Sequence, residues 1–109
     1  MTGNENMLGI DLVYLPEFEE RLKNLSLEKV FLSHELFQNK ALESLGGIFA
    51  AKEAFFKAIG KKEDWLSVWI EKNKYGKPEI KTLLFNNKKI EVSISHAGEY
   101  VIAIVMIND

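Results

Sequence analysis

Leu45-Gly46-Gly47-Ile48-Phe49-Ala50-Ala51-Lys52-Glu53-Ala54-Phe55-Phe56-Lys57-Ala58-Ile59 is the stretch on which the fold turns. It is rich in helix formers and is followed by Gly60, a good C-terminal cap, so it predicts one long central helix. At 100° per residue, Ile48, Ala51, Phe55, Ala58 and Ile59 share a sector that should face the core. Glu53 and Lys57 fall on the far side, four apart with the acid first, and the plain reading is a solvated helical ion pair. Phe49 and Phe56 flank that pair on a face expected to be polar, and Ala50 leaves its surroundings open. An apolar rim around charged groups is what a ligand or partner surface presents.

Upstream of this helix, Leu8 to Val13 (LGIDLV) reads as a short buried strand interrupted by one aspartate. Pro16 suits the first turn of a helix whose apolar face carries Phe18, Leu22 and Leu25, and Ser33 is a candidate cap for a further helix carrying Leu36 and Phe37. Downstream, Val68 to Lys72, Glu79 to Phe85, Ile90 to Ser95 and Tyr100 to Ile107 read as strands. The turn signals between them are short, which favours antiparallel neighbours.

The chain has 109 residues, 47% of them hydrophobic, which fits a single domain. Residues 1–6 (MTGNEN) carry no apolar period and read as a disordered lead or an expression remnant; residues 7–109 form the domain. With 14 Lys and Arg against 16 Asp and Glu, the charges nearly cancel and no basic field points to nucleic acid. No window resembles a membrane span, so the expected location is the cytoplasm. The absence of cysteine excludes disulfides and thiolate catalysis, and two histidines are too few for an imidazole cage. A metal site here has to rest on carboxylates, which favour hard ions such as magnesium.

Asp11 is the second anomaly, since an aspartate in an apolar strand is costly to bury without a cation or donors. An edge-strand aspartate facing water is the plain reading; a metal ion held by Asp11 and Glu53 together is the functional one. Ser93 and Ser95 share one strand face in Val92-Ser93-Ile94-Ser95-His96, and His96 lies at the strand end, where ligand contacts are common. Tyr75-Gly76-Lys77-Pro78 reads by itself as a turn with a stiff exit.

Taken in order, these elements resemble the 4′-phosphopantetheinyl transferases, of the short holo-acyl-carrier-protein synthase type. Gly9-Ile10-Asp11-Leu12 is similar to the family's N-terminal G-I-D motif, and Phe49 to Ala58 is similar to its F-A-x-K-E-A-x-x-K-A signature. Gly76-Lys77-Pro78 and Val92 to His96 follow in the family's order.

The resemblance implies an α+β fold, with helices packed on a small antiparallel sheet, assembled as a homotrimer whose active sites are shared between subunits. It implies transfer of 4′-phosphopantetheine from coenzyme A to a serine of an acyl carrier protein, releasing adenosine 3′,5′-bisphosphate, in fatty acid biosynthesis. Asp11 and Glu53 match the magnesium ligands. Lys52 and Lys57 match lysines that contact phosphate or steady developing charge. Ser95 and His96 match the segment near the nucleotide's phosphates, and Gly76, Lys77 and Pro78 match a loop against which the adenosine packs. Glu53 is the expected general base, directly or through a water.

Two departures stand out. Ile48 occupies a place where many relatives have arginine, and the first helix carries Glu17, Glu19 and Glu20 where relatives are basic, leaving Arg21 and Lys23. Two other readings of the same residues are a non-catalytic nucleotide- or partner-binding module and a magnesium-dependent nucleotide hydrolase.

Overall fold

The computed structural model describes residues 6–109, so most of the expected lead lies outside the described residues. Five strands and three α-helices follow in the order β1 (Met7–Tyr14), α1 (Leu15–Leu22), α2 (Ser33–Gln38), α3 (Leu42–Ile59), β2 (Val68–Lys72), β3 (Pro78–Thr82), β4 (Lys89–Ala97) and β5 (Tyr100–Asn108). The class is α+β, as expected. The strands form two antiparallel sheets: a three-stranded sheet in the order β1-β5-β4 and a separate β2-β3 hairpin.

β5 explains the layering. Val101, Ala103, Val105 and Ile107 are buried, whereas Tyr100, Ile102, Ile104 and Met106 are exposed, so one face of the sheet is core and the other is not. α3 lies across the core face. It ends at Gly60, whose φ of 80° is left-handed and whose amide donates to the Phe56 carbonyl.

The approach of β1 to α3 depends on Gly9. A Cβ at that position would lie 1.9 Å from the Ala54 carbonyl oxygen and 2.7 Å from the Ala58 nitrogen, both backbone atoms that cannot yield without moving the helix. Only glycine lets the strand run this close, and Asp11, two residues on, emerges on the same helix-facing side.

Several local expectations need correction. α3 is covered on a second side as well, so Phe49, Phe56 and Ala50 are buried and do not form an open rim. Phe49 stacks on Trp65 with centroids 5.1 Å apart and meets Phe18 at 5.0 Å, while Phe56 meets Trp65 edge-on at 5.4 Å. Ser33 begins α2 as its first residue and does not cap it; Glu35 Oε1 instead accepts the Leu32 amide at 2.8 Å. α2 carries Leu36 and Phe37 as expected, whereas Leu25 falls beyond the end of α1. β3 stops at Thr82, three residues short of the expected Phe85, because the Thr82 hydroxyl turns back to the Ser67 carbonyl at 2.8 Å. Among the described residues, no helix is long and apolar enough to cross a membrane.

Candidate active site

Asp11 and Glu53, far apart in sequence, line one cavity of about 100 Å³ together with Tyr14, Glu17, Arg21 and Phe49. β1 supplies the first carboxylate and α3 the second, and the close packing at Gly9 is what joins them. The Asp11 side chain is only 12% exposed, so it needs a counter-charge. That charge is Lys57, whose Nζ donates to Asp11 Oδ1 at 2.9 Å. The i,i+4 pair expected between Glu53 and Lys57 is therefore replaced: Lys57 turns to the strand, and Glu53 faces Lys62 at 3.7 Å. Glu53 stays 27% exposed at the side chain, within reach of solvent.

Lys52 occupies a different place from the one its motif implied. It is fully buried, and its ammonium donates to the Val30 carbonyl at 2.7 Å, to Glu35 Oε1 at 2.8 Å and to the Trp65 carbonyl at 3.3 Å. Those three oxygens use all three N–H donors, leaving none for a phosphate. Burial pushes this ammonium's pKa below the ordinary lysine value, with Glu35 opposing. Glu35 is also fully buried; its Oε2 accepts the Ile70 amide at 2.8 Å. The pair is a structural tie between α2, α3 and β2, and Glu35 carried no motif by which the sequence could have marked it.

A second cavity, of about 180 Å³, gathers the late motifs. Pro78 and His96 both line it, with Ile48, Ile70 and Ile94 as apolar wall and Gln38, Asn39, Glu43 and Lys72 as polar groups. His96 Nδ1 lies 3.6 Å from Glu43 Oε2. Ser95 does not share this cavity: strand alternation sends it to the opposite sheet face, across from Ile102. Gly76 sits in an exposed turn with φ 82°, and Lys77 opens instead onto a wide cleft between β3 and β4.

The two cavities share no lining residue. Asp11, Glu53 and Lys57 thus form one group within a single chain, and Pro78 with His96 forms another. Arg21 went unremarked as a site residue, yet its guanidinium lies over the Phe49 ring at 5.1 Å at the edge of the carboxylate cavity. Its being the sole arginine in the chain was the available signal.

As to a cation, Asp11 and Glu53 in one small cavity, with Glu17 as a third carboxylate on its lining, suit magnesium, which commonly takes one or two protein carboxylates and completes its shell with waters and phosphate oxygens. Among the described residues there is no cluster of three or more acidic, histidine or cysteine ligands, so an all-protein cage is not what this site offers.

Comparison with known proteins assigns this α+β frame, with its glycine-tethered strand packed on a buried helix, to a class of small transferases. The family model described as the 4′-phosphopantetheinyl transferase superfamily matches residues 7–105. The holo-[acyl-carrier-protein] synthase of Bacillus pumilus is 36% identical over 114 residues, covering 92% of this chain and 93% of that protein. That of Nautilia profundicola is 36% identical over 111 residues, covering 93% and 98%. Among solved structures, the Helicobacter pylori holo-[acyl-carrier-protein] synthase in complex with coenzyme A superposes with a TM-score of 0.84 at 29% identity, over 93% of this chain and 99% of that one. The chain belongs to the 4′-phosphopantetheinyl transferase superfamily, as an enzyme of the holo-[acyl-carrier-protein] synthase type.

Proposed function

We propose that Asp11 and Glu53 hold a magnesium ion beside the diphosphate of coenzyme A while the chain transfers 4′-phosphopantetheine to a serine of apo acyl carrier protein. The observation that carries this is the convergence of the two carboxylates on one cavity. Bound there, the cation would neutralise diphosphate oxygens as charge shifts to the leaving group.

The chain's own groups do the rest. The serine Oγ attacks the β-phosphorus, the bond from that phosphorus to the bridging oxygen breaks, and adenosine 3′,5′-bisphosphate leaves. Glu53, directly or through a water, would accept the serine proton. Lys57, 55% exposed and already at the carboxylates, can swing its ammonium to the phosphoryl oxygens in the transition state.

The cavity of Pro78 and His96 would take the nucleotide end, with Ile48, Ile70 and Ile94 against the adenine and His96 near phosphate.

The reaction site is completed by assembly into a homotrimer. Two features support that. The carboxylate and nucleotide cavities share no lining residue within one chain, which accords with a site completed by a neighbour. The outer face of the three-stranded sheet also exposes Leu8 at 61%, Ile10 at 52%, Leu12 at 60%, with Ile102, Ile104 and Met106 beside them in register. A contiguous apolar face of this kind is characteristic of a subunit contact. The enzyme would act in the cytoplasm, in fatty acid biosynthesis.

Mass spectrometry of an apo carrier protein incubated with the enzyme, coenzyme A and magnesium tests this reading. The expected result is a gain of one phosphopantetheine mass. No gain with several carriers would overturn it in favour of a binding module; release of adenosine 3′,5′-bisphosphate without any carrier would overturn it in favour of a hydrolase.

A further inference from the structure

We propose that Lys72 is the specificity-determining contact for the 3′-phosphate of coenzyme A, an inference that rests on reading the Pro78 and His96 cavity as the nucleotide pocket. The cavity's charged lining groups are Glu43, Lys72 and His96. The imidazole has an acidic neighbour in Glu43, at 3.6 Å. Lys72 is exposed, and among the described residues it has no carboxylate partner. By contrast, Lys81 on the same hairpin lies 3.6 Å from Glu79, and Lys74 sits over the Tyr75 ring at 5.2 Å. Lys72 is thus the one permanent cation that lines this cavity, and its ammonium is uncommitted.

The strand that carries it is anchored. Two residues before Lys72, the Ile70 amide donates to buried Glu35 at 2.8 Å, and the Ile70 carbonyl is 3.1 Å from His34 Nε2. The backbone at the cavity edge is therefore held on both its donor and its acceptor side, while the long lysine side chain remains free to reach a ligand. The same cavity has an apolar wall of Ile48, Ile94 and Pro78, fit for a purine face. A ribose phosphate projecting from that purine would meet an ammonium, a compact charge well suited to a phosphate dianion. Coenzyme A and dephospho-coenzyme A differ only in that phosphate, so the ammonium favours the first and gains nothing from the second.

The test compares kcat/KM for coenzyme A and dephospho-coenzyme A in the wild-type enzyme, Lys72→Gln, Lys72→Arg and Ser44→Trp, the last filling the cavity from α3. The wild type should prefer coenzyme A by about tenfold or more, the scale of one charge-assisted contact. Lys72→Gln should bring that ratio close to one through a raised KM for coenzyme A, and Lys72→Arg should retain it. A preference left intact in Lys72→Gln, with Ser44→Trp raising KM for both coenzymes, would overturn the role of Lys72 and leave the pocket standing. Unchanged KM values in Ser44→Trp would overturn the pocket itself, and this inference with it.

Discussion

Lys52 and Lys57 lie on one helix, five residues apart in one motif, and their surroundings assign them different work. Lys52 is sealed among Val30, Glu35 and Trp65, whereas Lys57 reaches out to Asp11 with its ammonium half in solvent. Lys52→Met should cost about 3–5 kcal/mol of stability in urea denaturation, since it leaves the Glu35 carboxylate buried without its counter-charge. Lys57→Met should lower the midpoint by less than Lys52→Met, because only the Asp11 end of its ion pair is largely buried and the lysine end is half in solvent, and it should lower kcat. A reversed order of the two midpoints would refute the division of roles. Nothing in the residue types distinguishes the two lysines; what separates them is the carboxylate of Glu35, brought in by a six-residue helix with no motif of its own. The same blindness put Ser95 beside His96: adjacency in a strand means opposite faces once a sheet has a covered side.

At the scale of elements, the packing of β1 on α3 decides whether there is a site at all. Gly9→Ala should destabilise by about 1–3 kcal/mol or more, because the added methyl meets the Ala54 carbonyl and both strand and helix must shift. The shift moves Asp11 away from Glu53, so activity should fall even in molecules that remain folded. Thermal denaturation with a parallel transfer assay checks both; an alanine variant with wild-type melting and turnover would show that the strand can approach by another route. The central helix, its glycine stop and all five strands were legible from hydrophobic period and turn chemistry. The burial of Phe49 and Phe56 was not. A helical wheel grants one covered face, and here Phe18 and Trp65 cover a second, which depends on how distant segments pack.

The molecule as a whole has an outer sheet face of Leu8, Ile10, Leu12, Ile102, Ile104 and Met106 that a lone chain leaves in water. Leu12→Glu combined with Ile104→Lys should give a folded monomer in analytical ultracentrifugation, and the proposed sharing of sites between neighbours predicts that transfer is lost with it. A monomeric variant that retains full activity would place the whole site within one chain. Sequence separation carries no distance, so periodicity gives no reason for Asp11 and Glu53 to line one cavity, and only the resemblance of motifs pairs them. The central claim concerns that convergence, and manganese titration followed by electron paramagnetic resonance, in the presence of coenzyme A, addresses it directly. The account predicts a bound manganese signal in the wild-type enzyme that is lost in Glu53→Gln and in Asp11→Asn, with both variants still folded; an undiminished bound signal in both would contradict it.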